Sequence, residues 1–326
     1  MKKIAVVGAG ISGLSVAQLL KGKAEVTLFE KSKGVSGRVA TRNSDPYFFD
    51  HGAQYFTVRT DPFREFINPL IKNGLVKRWN ARYVKFDKDR IIERKNWEDL
   101  EPRYVGVPTM NTLGKSLSFG CNIITDTKIN KLERNKQWEL QDDRGNRYKP
   151  FDWVISSIPS PQVISLLPST FTYFKTIQEI EMRACLSLML GFETPLAIEF
   201  EAAHVTNTDL SWLAVNSHKP GRSNDFTLLV HSTEYYAEAQ IDCDRTTVID
   251  DMCLKTSKIV GCDLSGANFK NLHAWRYANN AHREKSPVLI DWESNLAACG
   301  DWGLGGRVEG AFTSAYRLVK EIEKSL

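Results

Sequence analysis

Long apolar runs are missing from this chain of 326 residues. A membrane-spanning helix takes about 20 of them in a row, so no membrane segment is expected. Cysteine is sparse and unpatterned. The six (Cys121, Cys185, Cys243, Cys253, Cys262, Cys299) include no Cys-x-x-Cys pair, which argues against a disulfide framework or a zinc site. Reduced, mostly buried thiols in a cytoplasm are the expectation. An excess of one charge is also lacking. Lys and Arg total 43 against 39 Asp and Glu, interspersed, for a net +4. That mild balance favours the approach of a phosphate-bearing small molecule but carries no nucleic-acid signature. There is no repeat, no low-complexity tract, no HExxH or other metal spacing, and no nucleophile elbow with a Ser/His/Asp set. No metal is expected. What remains is a soluble globular composition, 42% hydrophobic and 25% charged, at a length that favours two domains.

The chain's first residues carry the most information. Ile4-Ala5-Val6-Val7 is a short apolar run, followed at once by Gly8-Ala9-Gly10-Ile11-Ser12-Gly13 and a helical pattern. A second apolar run, Val26 to Phe29, ends at Glu30. Strand, glycines, helix, strand and acid in that order make a dinucleotide-binding fingerprint. Gly8 permits the tight turn, Gly10 lets a pyrophosphate approach the backbone, and Gly13 lets helix and strand lie close. The helix N-terminus offers unpaired N–H groups to the phosphates, and Ser12 can add a hydroxyl. Glu30 can accept hydrogen bonds from both ribose hydroxyls and would repel a 2′-phosphate. FAD or NAD is therefore expected there rather than NADP. Met1-Lys2-Lys3 before an apolar run superficially suggests a signal peptide, but the glycines interrupt it and the segment reads as the first strand of the mature protein.

The helical face of the first segment is Ile11, Leu14, Ala17, Gln18 and Leu20. Asp61 reads as an N-cap with Pro62 at the first helical position, and Gly74 ends that helix. Arg82–Phe86 and Arg90–Arg94 suggest a hairpin. A short helix is expected from Pro108 through Met110, Leu113 and Leu117 to Gly120. Ile123–Leu132, Gln137–Gln141 and Trp153–Ile158 read as strands. Arg183–Phe192, Ser211–Asn216, Phe226–Ser232 and Asn271–Tyr277 read as an antiparallel sheet, interrupted by an acidic helical stretch over 234–261. Leu296–Cys299 is the last strand. Val308, Ala311, Phe312, Ala315, Leu318, Val319 and Ile322 give a C-terminal helix its buried face. The expected fold is mixed α/β. A discontinuous nucleotide domain spans 1–57, 107–160 and 293–326, and a second, antiparallel-sheet domain for substrate spans 58–106 and 161–292.

Several further segments hold candidate chemistry. Gly37-Arg38 follows the ribose acid and suits a second phosphate clamp; Arg42 is a weaker candidate for the same part. Gly300-Asp301 leads through glycines into the C-terminal helix. The acid there suits the ribityl hydroxyls of a flavin, and the helix start near Arg307, Val308 and Glu309 would direct its positive end toward the flavin N1–C2=O edge. Asp50-His51-Gly52-Ala53-Gln54-Tyr55-Phe56 packs polar and aromatic groups densely. Gln54 and Tyr55 suit a flavin face or edge, and His51 reads either as a general base or as a packing histidine. Trp275 and Tyr277 alternate on one strand and, with Trp302, can form an aromatic substrate box or simple core.

GAGISG, Glu30, SGR (36–38), DHGAQYF (50–56), DWVISSIPSPQ (152–162), LHAWRYA (272–278) and CGDWGLGGRVEGAFTSA (299–315) together resemble the renalase-like flavoproteins, a branch of the FAD-dependent amine-oxidase superfamily. The resemblance implies an FAD-binding Rossmann-like domain with a substrate domain of the amine-oxidase type. It implies FAD contacts at Gly8, Gly10, Ser12, Gly13, Glu30, Lys31, Gly37, Arg38, Gln54, Tyr55, Gly300, Asp301, Arg307, Val308 and Glu309. It also implies oxidation of a 2- or 6-dihydro isomer of NAD(P)H, a dihydronicotinamide dinucleotide. Hydride would go to flavin N5, and dioxygen would reoxidise the flavin with release of hydrogen peroxide. No cysteine stands in the Ser-Gly-Gly-Cys-Tyr context that monoamine oxidases use to bond their flavin, so non-covalent FAD is expected. A flavin amine oxidase or desaturase, and a non-catalytic FAD- or NAD-binding redox sensor, are the alternative readings.

Overall fold

The computed structural model describes residues 1–280 and 288–326, which form two compact units. The first comprises 1–39, 113–182 and 279–326; the second comprises 40–112 and 183–278.

The first unit is built on a six-stranded sheet. Its order is Leu289–Asp291, Leu296–Ala298, Trp153–Ser156, Lys3–Val7, Glu25–Phe29 and Asn122–Ile124. Every pairing is parallel except that between the first two strands. The central strands read as continuous apolar runs because both faces are covered. Helix Ile11–Leu19 packs with helix Val308–Ile322, and the Ser12 hydroxyl donates to the Ala311 carbonyl at 3.0 Å. All seven apolar positions expected on the C-terminal helix are buried. A separate antiparallel meander, Ile129–Arg134, Trp138–Asp142 and Arg147–Phe151, completes the unit with Phe29, Trp138, Leu140 and Phe151 in a shared core.

The second unit carries a seven-stranded sheet. Its order is Phe269–Asn280, Met182–Phe192, Phe226–Ser232, Leu210–Val215, Ala202–Thr206, Arg82–Asp87 and Arg90–Asn96. Pairing is antiparallel from Met182–Phe192 through Ala202–Thr206 and in the Arg82–Asn96 hairpin, while Ala202–Thr206 runs parallel to Arg82–Asp87. Ala184, Leu186, Leu188, Leu190 and Phe192 recur at every second position and point into one core, as a pleated strand requires. Val248, Met252, Cys253 and Ile259 of helix Arg245–Val260 join that same core.

Several local expectations are corrected. The run Ile123–Leu132 is two strands in two sheets, because Asp126 between them takes a left-handed backbone (φ 52°). The acidic stretch is two helices, Glu234–Gln240 and Arg245–Val260. The Thr233 hydroxyl and the Asp244 carboxylate each cap a start, so the chain stops and restarts between them. Thr60, not Asp61, is the N-cap of helix Asp61–Lys72. The helix expected from Pro108 runs only over Thr112–Ser118. The unit boundaries also differ. Residues 40–57 and 107–112 lie in the second unit, and 161–182, 279–280 and 288–292 in the first; of the expected second-domain span, 281–287 lie outside the described residues. The 40–57 segment goes with the antiparallel sheet because Tyr47 and Phe49 pack with Met189 and Leu229.

Candidate active site

In the first unit, the glycines after the first strand divide by what their missing side chains serve. A Cβ on Gly13 would stand 2.0 Å from the Gly8 carbonyl oxygen, and one on Gly8 would meet Ser157 Oγ at 2.8 Å. These two glycines are required by packing. Gly10 is different. Its φ of −77° is ordinary, and a Cβ there would meet nothing nearer than the Gly37 Cα at 4.0 Å. Neither backbone nor packing asks for glycine at this position, so the space in front of it is kept open for something else. That is the cradle a dinucleotide's pyrophosphate needs.

The surroundings fit such a ligand. Gly10 is the N-cap of helix Ile11–Leu19, and no side chain caps that start. Arg307 stands at the N-cap of helix Val308–Ile322, again with no side-chain cap. Two helix N-termini thus leave first-turn N–H groups for an anion. The loop 36–38 lies against the cradle: Ser36 N–H donates to the Ala9 carbonyl at 3.0 Å, and Gly10 and Ser36 are bridged. Glu30 is buried. One carboxylate oxygen accepts the Ala9 N–H at 2.8 Å and the other the Ser32 N–H at 2.9 Å. Each oxygen keeps a second lone pair, enough for a ribose diol.

Other expected contact residues have partners within the protein. Ser12, expected to offer its hydroxyl to phosphate, gives it to Ala311. Arg38, expected as a clamp, and Asp301, expected at a ribityl chain, form an ion pair with each other. That pair ties residue 38 to residue 301 and closes the early loop onto the turn before the last helix. Lys31 and Arg307 are exposed; Val308 and Glu309 are buried. Gly300 is backbone that must clear an indole, since a Cβ there would lie 2.0 Å from Trp302 Nε1. Trp302 itself corrects an expectation. It is a core residue of the first unit, with its Nε1–H donated to the Ile158 carbonyl at 3.0 Å, and its placement does not support a part in a substrate box.

In the second unit, the segment Asp50 to Phe56 is anchored by charges the sequence does not flag. Asp50 is fully buried and meets Lys219 Nζ at 3.3 Å and Arg222 Nη2 at 2.5 Å. It also accepts the Met110 N–H at 2.9 Å and the Thr41 hydroxyl at 2.7 Å. Burial pushes its carboxyl up, but Lys219 and Arg222 outweigh burial and hold it at about 2. Burial in turn presses Lys219 down to about 8 in spite of Asp50. Gln54, expected beside a flavin, is engaged in this knot: its Nε2 donates to the Asp50 and Gly52 carbonyls at 2.5 and 2.9 Å, and its Oε1 accepts from Lys219 Nζ at 3.1 Å.

Two aromatic groups flank the knot's segment. His51 stacks on Trp275 (centroids 5.1 Å apart) and meets His273 edge-on at 4.7 Å. The Trp275 Nε1–H donates to the His51 carbonyl at 2.8 Å. Burial, with His273 and Arg42 nearby, takes His51 down to about 3. So acidic an imidazolium leaves a weak base at neutral pH, which favours the packing role over the general base. Tyr55 belongs to the other group, with Trp97 at 5.1 Å, Trp212 at 5.8 Å and the Arg103 guanidinium over its ring at 5.6 Å. Tyr277 is half-buried further along the strand of Trp275. The candidate pocket residues of this unit are therefore divided: Trp275 with His51, Tyr55 with Trp97, and Gln54 with Lys219. The sequence does hold a signal for the missed cations. Ser217-His218-Lys219-Pro220-Gly221-Arg222 sets two basic groups around a Pro-Gly turn.

With the geometry described, comparison with known proteins adds the following. A family model described as NAD(P)-binding Rossmann-like domain matches residues 6–70. Mouse renalase is 25% identical over 180 residues, 51% of this chain and 49% of that protein. An L-amino-acid oxidase of Sistrurus catenatus edwardsii is 33% identical over 100 residues, 29% of this chain and 19% of that protein. The chain thus spans about half the length of the first relative and a fifth of the second. Among solved structures, a protein of Exiguobacterium sp. 255-15, provisionally described as a protoporphyrinogen oxidase, superposes with TM-score 0.79 at 13% identity, covering 100% of this chain and 99% of that one. A putrescine oxidase triple mutant from a redesign of cofactor binding gives TM-score 0.74 at 12% identity, with 100% and 99% covered. The architecture is of the amine-oxidase type. At such identities these structures speak to the fold: a Rossmann-like N-terminal region and a separate antiparallel-sheet domain.

Proposed function

We propose that this chain is an FAD-dependent oxidoreductase of the renalase type, oxidising 2- or 6-dihydro isomers of NAD(P)H to NAD(P)+. The observation that carries the nucleotide half of this reading is Gly10, a glycine that neither its backbone angle nor its neighbours demand, at an uncapped helix start beside a buried Glu30. The residues that would hold FAD are the backbone of 8–13, Glu30, the loop 36–38 and the start of the Val308 helix. Bound there, FAD would supply a hydride acceptor at N5, with dioxygen as the electron acceptor and hydrogen peroxide as its product. The chain's own contribution is to orient and to exclude water. No nucleophile–base pair is needed, and the acid-shifted His51 is consistent with that. Non-covalent attachment fits the cysteines: all six are free, and burial raises Cys299, next to Gly300, to about 12, which leaves it unreactive. Free thiols also suit a cytoplasmic location, and no described helix is long and apolar enough to cross a membrane.

A second reading is an amine oxidase or desaturase acting on a carbon–nitrogen or carbon–carbon bond. The matched stretch of L-amino-acid oxidase and the likeness to putrescine oxidase favour it. Anaerobic mixing of the flavin-loaded protein with 2- and 6-dihydro-NAD(P) isomers, and separately with amines and amino acids, separates the two. Bleaching of the flavin band by the dihydronicotinamides alone is the expected outcome. Bleaching by an amine alone replaces the first reading with the second, and a protein that takes up no flavin removes both.

A further inference from the structure

The second unit holds a cluster that the reading above does not use. Trp97 is buried (2% exposed) at its centre, with Trp79 edge-on at 5.2 Å, Trp212 stacked at 6.1 Å and Tyr55 edge-on at 5.1 Å. The Arg103 guanidinium lies over the Trp97 ring at 4.2 Å. Arginine on a tryptophan face is stable by itself, so stacking alone carries no site.

Hydrogen-bond accounting adds a second, independent observation. Trp79 Nε1, Trp212 Nε1 and Arg103 Nε are all buried, and none has an acceptor. Trp79 is 98% buried as a residue, being 2% exposed. Buried donors without partners are costly, so three in one cluster mark a place that an acceptor would suit. The charge is equally one-sided. Arg103 gives one Nη1–H to the Glu101 carbonyl at 3.2 Å, while the Glu101 carboxylate is held by Arg59 at 2.7 and 2.9 Å. Among the described residues no carboxylate pairs with Arg103. Lys219, itself paired with Asp50 at 3.3 Å, lies over the Trp79 ring at 5.2 Å. Tyr55, Trp212 and Arg103 are half-buried rather than sealed.

We infer that Tyr55, Trp97, Trp212 and Arg103, with the Trp79 indole N–H, form a substrate subsite for an anionic oxygen carried on or tethered to a planar ring. The half-buried Tyr55 and Trp212 rings take the ring, since Trp97 is covered by Tyr83 at 5.5 Å and by Arg103 and serves as their backing, and N–H groups and guanidinium take the oxygen. A protonated amine is the wrong partner here. It would meet indole donors and the Arg103 guanidinium, with which no carboxylate pairs among the described residues, an arrangement that rejects it as well as accepting the anion. The inference rests on the proposed function only in naming the ligand a substrate; the binding chemistry stands on the cluster itself. Two sources share that chemistry, a dinucleotide phosphate and a ring carboxylate.

The test is equilibrium binding to the flavin-loaded protein, read by tryptophan fluorescence, with NAD+, nicotinate, neutral nicotinamide and phenethylamine as probes. NAD+ or nicotinate is expected to bind saturably and ahead of phenethylamine, and the tighter of the two names the source. Arg103→Gln is expected to weaken that binding about tenfold or more, the scale of a hydrogen bond to a charged group, with Arg103→Lys restoring part of it. Trp212→Phe keeps a ring but removes a donor, and a loss of about two- to tenfold is expected; this variant carries the test if Arg103→Gln does not fold. Phenethylamine binding as tightly as the anions, or anion binding unchanged in both variants, overturns the subsite. The two proposals fail separately. Oxidation of dihydronicotinamides with unchanged affinity in Arg103→Gln removes the subsite and leaves the function. Arg103-dependent anion binding in a protein that no dihydronicotinamide reduces removes the function and leaves the subsite.

Discussion

Replacing Gly10 with alanine should separate ligand binding from folding. In the protein alone the new methyl has room: its nearest neighbour is the Gly37 Cα at 4.0 Å, an ordinary contact, and φ of −77° suits alanine. Two small effects oppose each other. Losing backbone freedom in the unfolded chain stabilises by about 0.4–1 kcal/mol. Alanine is a poorer N-cap than glycine, by a similar amount. The flavin-free variant should therefore unfold within about 1 kcal/mol of wild type. FAD affinity should fall by at least about tenfold, or 1.4 kcal/mol, because the methyl occupies the space in which a pyrophosphate approaches the backbone. Gly13→Ala is the contrasting variant. Its methyl would sit 2.0 Å from the Gly8 oxygen, so strand and helix must part. Its cost should exceed the roughly 1–3 kcal/mol of ordinary overpacking and appear without any ligand. Urea denaturation of both apoproteins and flavin titration of Gly10→Ala are the measurements. Wild-type flavin affinity in Gly10→Ala, or a Gly13→Ala apoprotein as stable as Gly10→Ala, refutes the division of roles among the glycines.

Three further outcomes follow from other parts of the structure. Glu30→Ala should release flavin more readily, since the Ala9 and Ser32 N–H groups lose their acceptor and a ribose loses its own; full flavin occupancy after dialysis contradicts this. Asp50→Asn leaves Lys219 and Arg222 buried without their carboxylate and should cost about 3–5 kcal/mol in unfolding free energy; a loss under about 1 kcal/mol means the knot matters little. Acidification should destabilise the fold well above the carboxylate range. His51 drops from 6.5 to about 3 on folding, so between those values the unfolded chain binds the extra proton. Stability is then complete above pH 6.5 and falls as pH drops toward 3, at up to about 1.4 kcal/mol per pH unit for this group. His51→Gln should flatten the dependence of the urea midpoint on pH from 7 to about 4, and parallel profiles for the two proteins rule the assignment out.

How far the sequence reveals this structure depends on the range over which each feature is encoded. The C-terminal helix is legible because one repeating apolar stripe specifies its inner face, and the seven stripe residues from Val308 to Ile322 are all buried. The glycine turn is legible because strand, turn, helix and acid lie within one short stretch. The Asp50 knot is not legible, because its lysine lies 169 residues away and nothing local announces that the two will meet. Trp302 misleads for a related reason. An indole after a strand reads equally as pocket or core, and only the Ile158 carbonyl, far off in sequence, settles it. The three-residue strands Arg42–Ser44 and Tyr47–Phe49 are too short for a period of two to show, yet they help assign their segment to the second unit.

The pairing of Arg38 with Asp301 and of Ser12 with Ala311 has a consequence for biogenesis. The second unit is made of two stretches that both emerge from the ribosome before residue 279, whereas the first still awaits the strand at 296 and the helix at 308. The inserted body can close early; the one interrupted by it cannot. A nucleotide held between the two helix starts would therefore arrive only once the helix at 308 has been made, and nascent chains stalled short of residue 300 should leave their glycine turn unsealed.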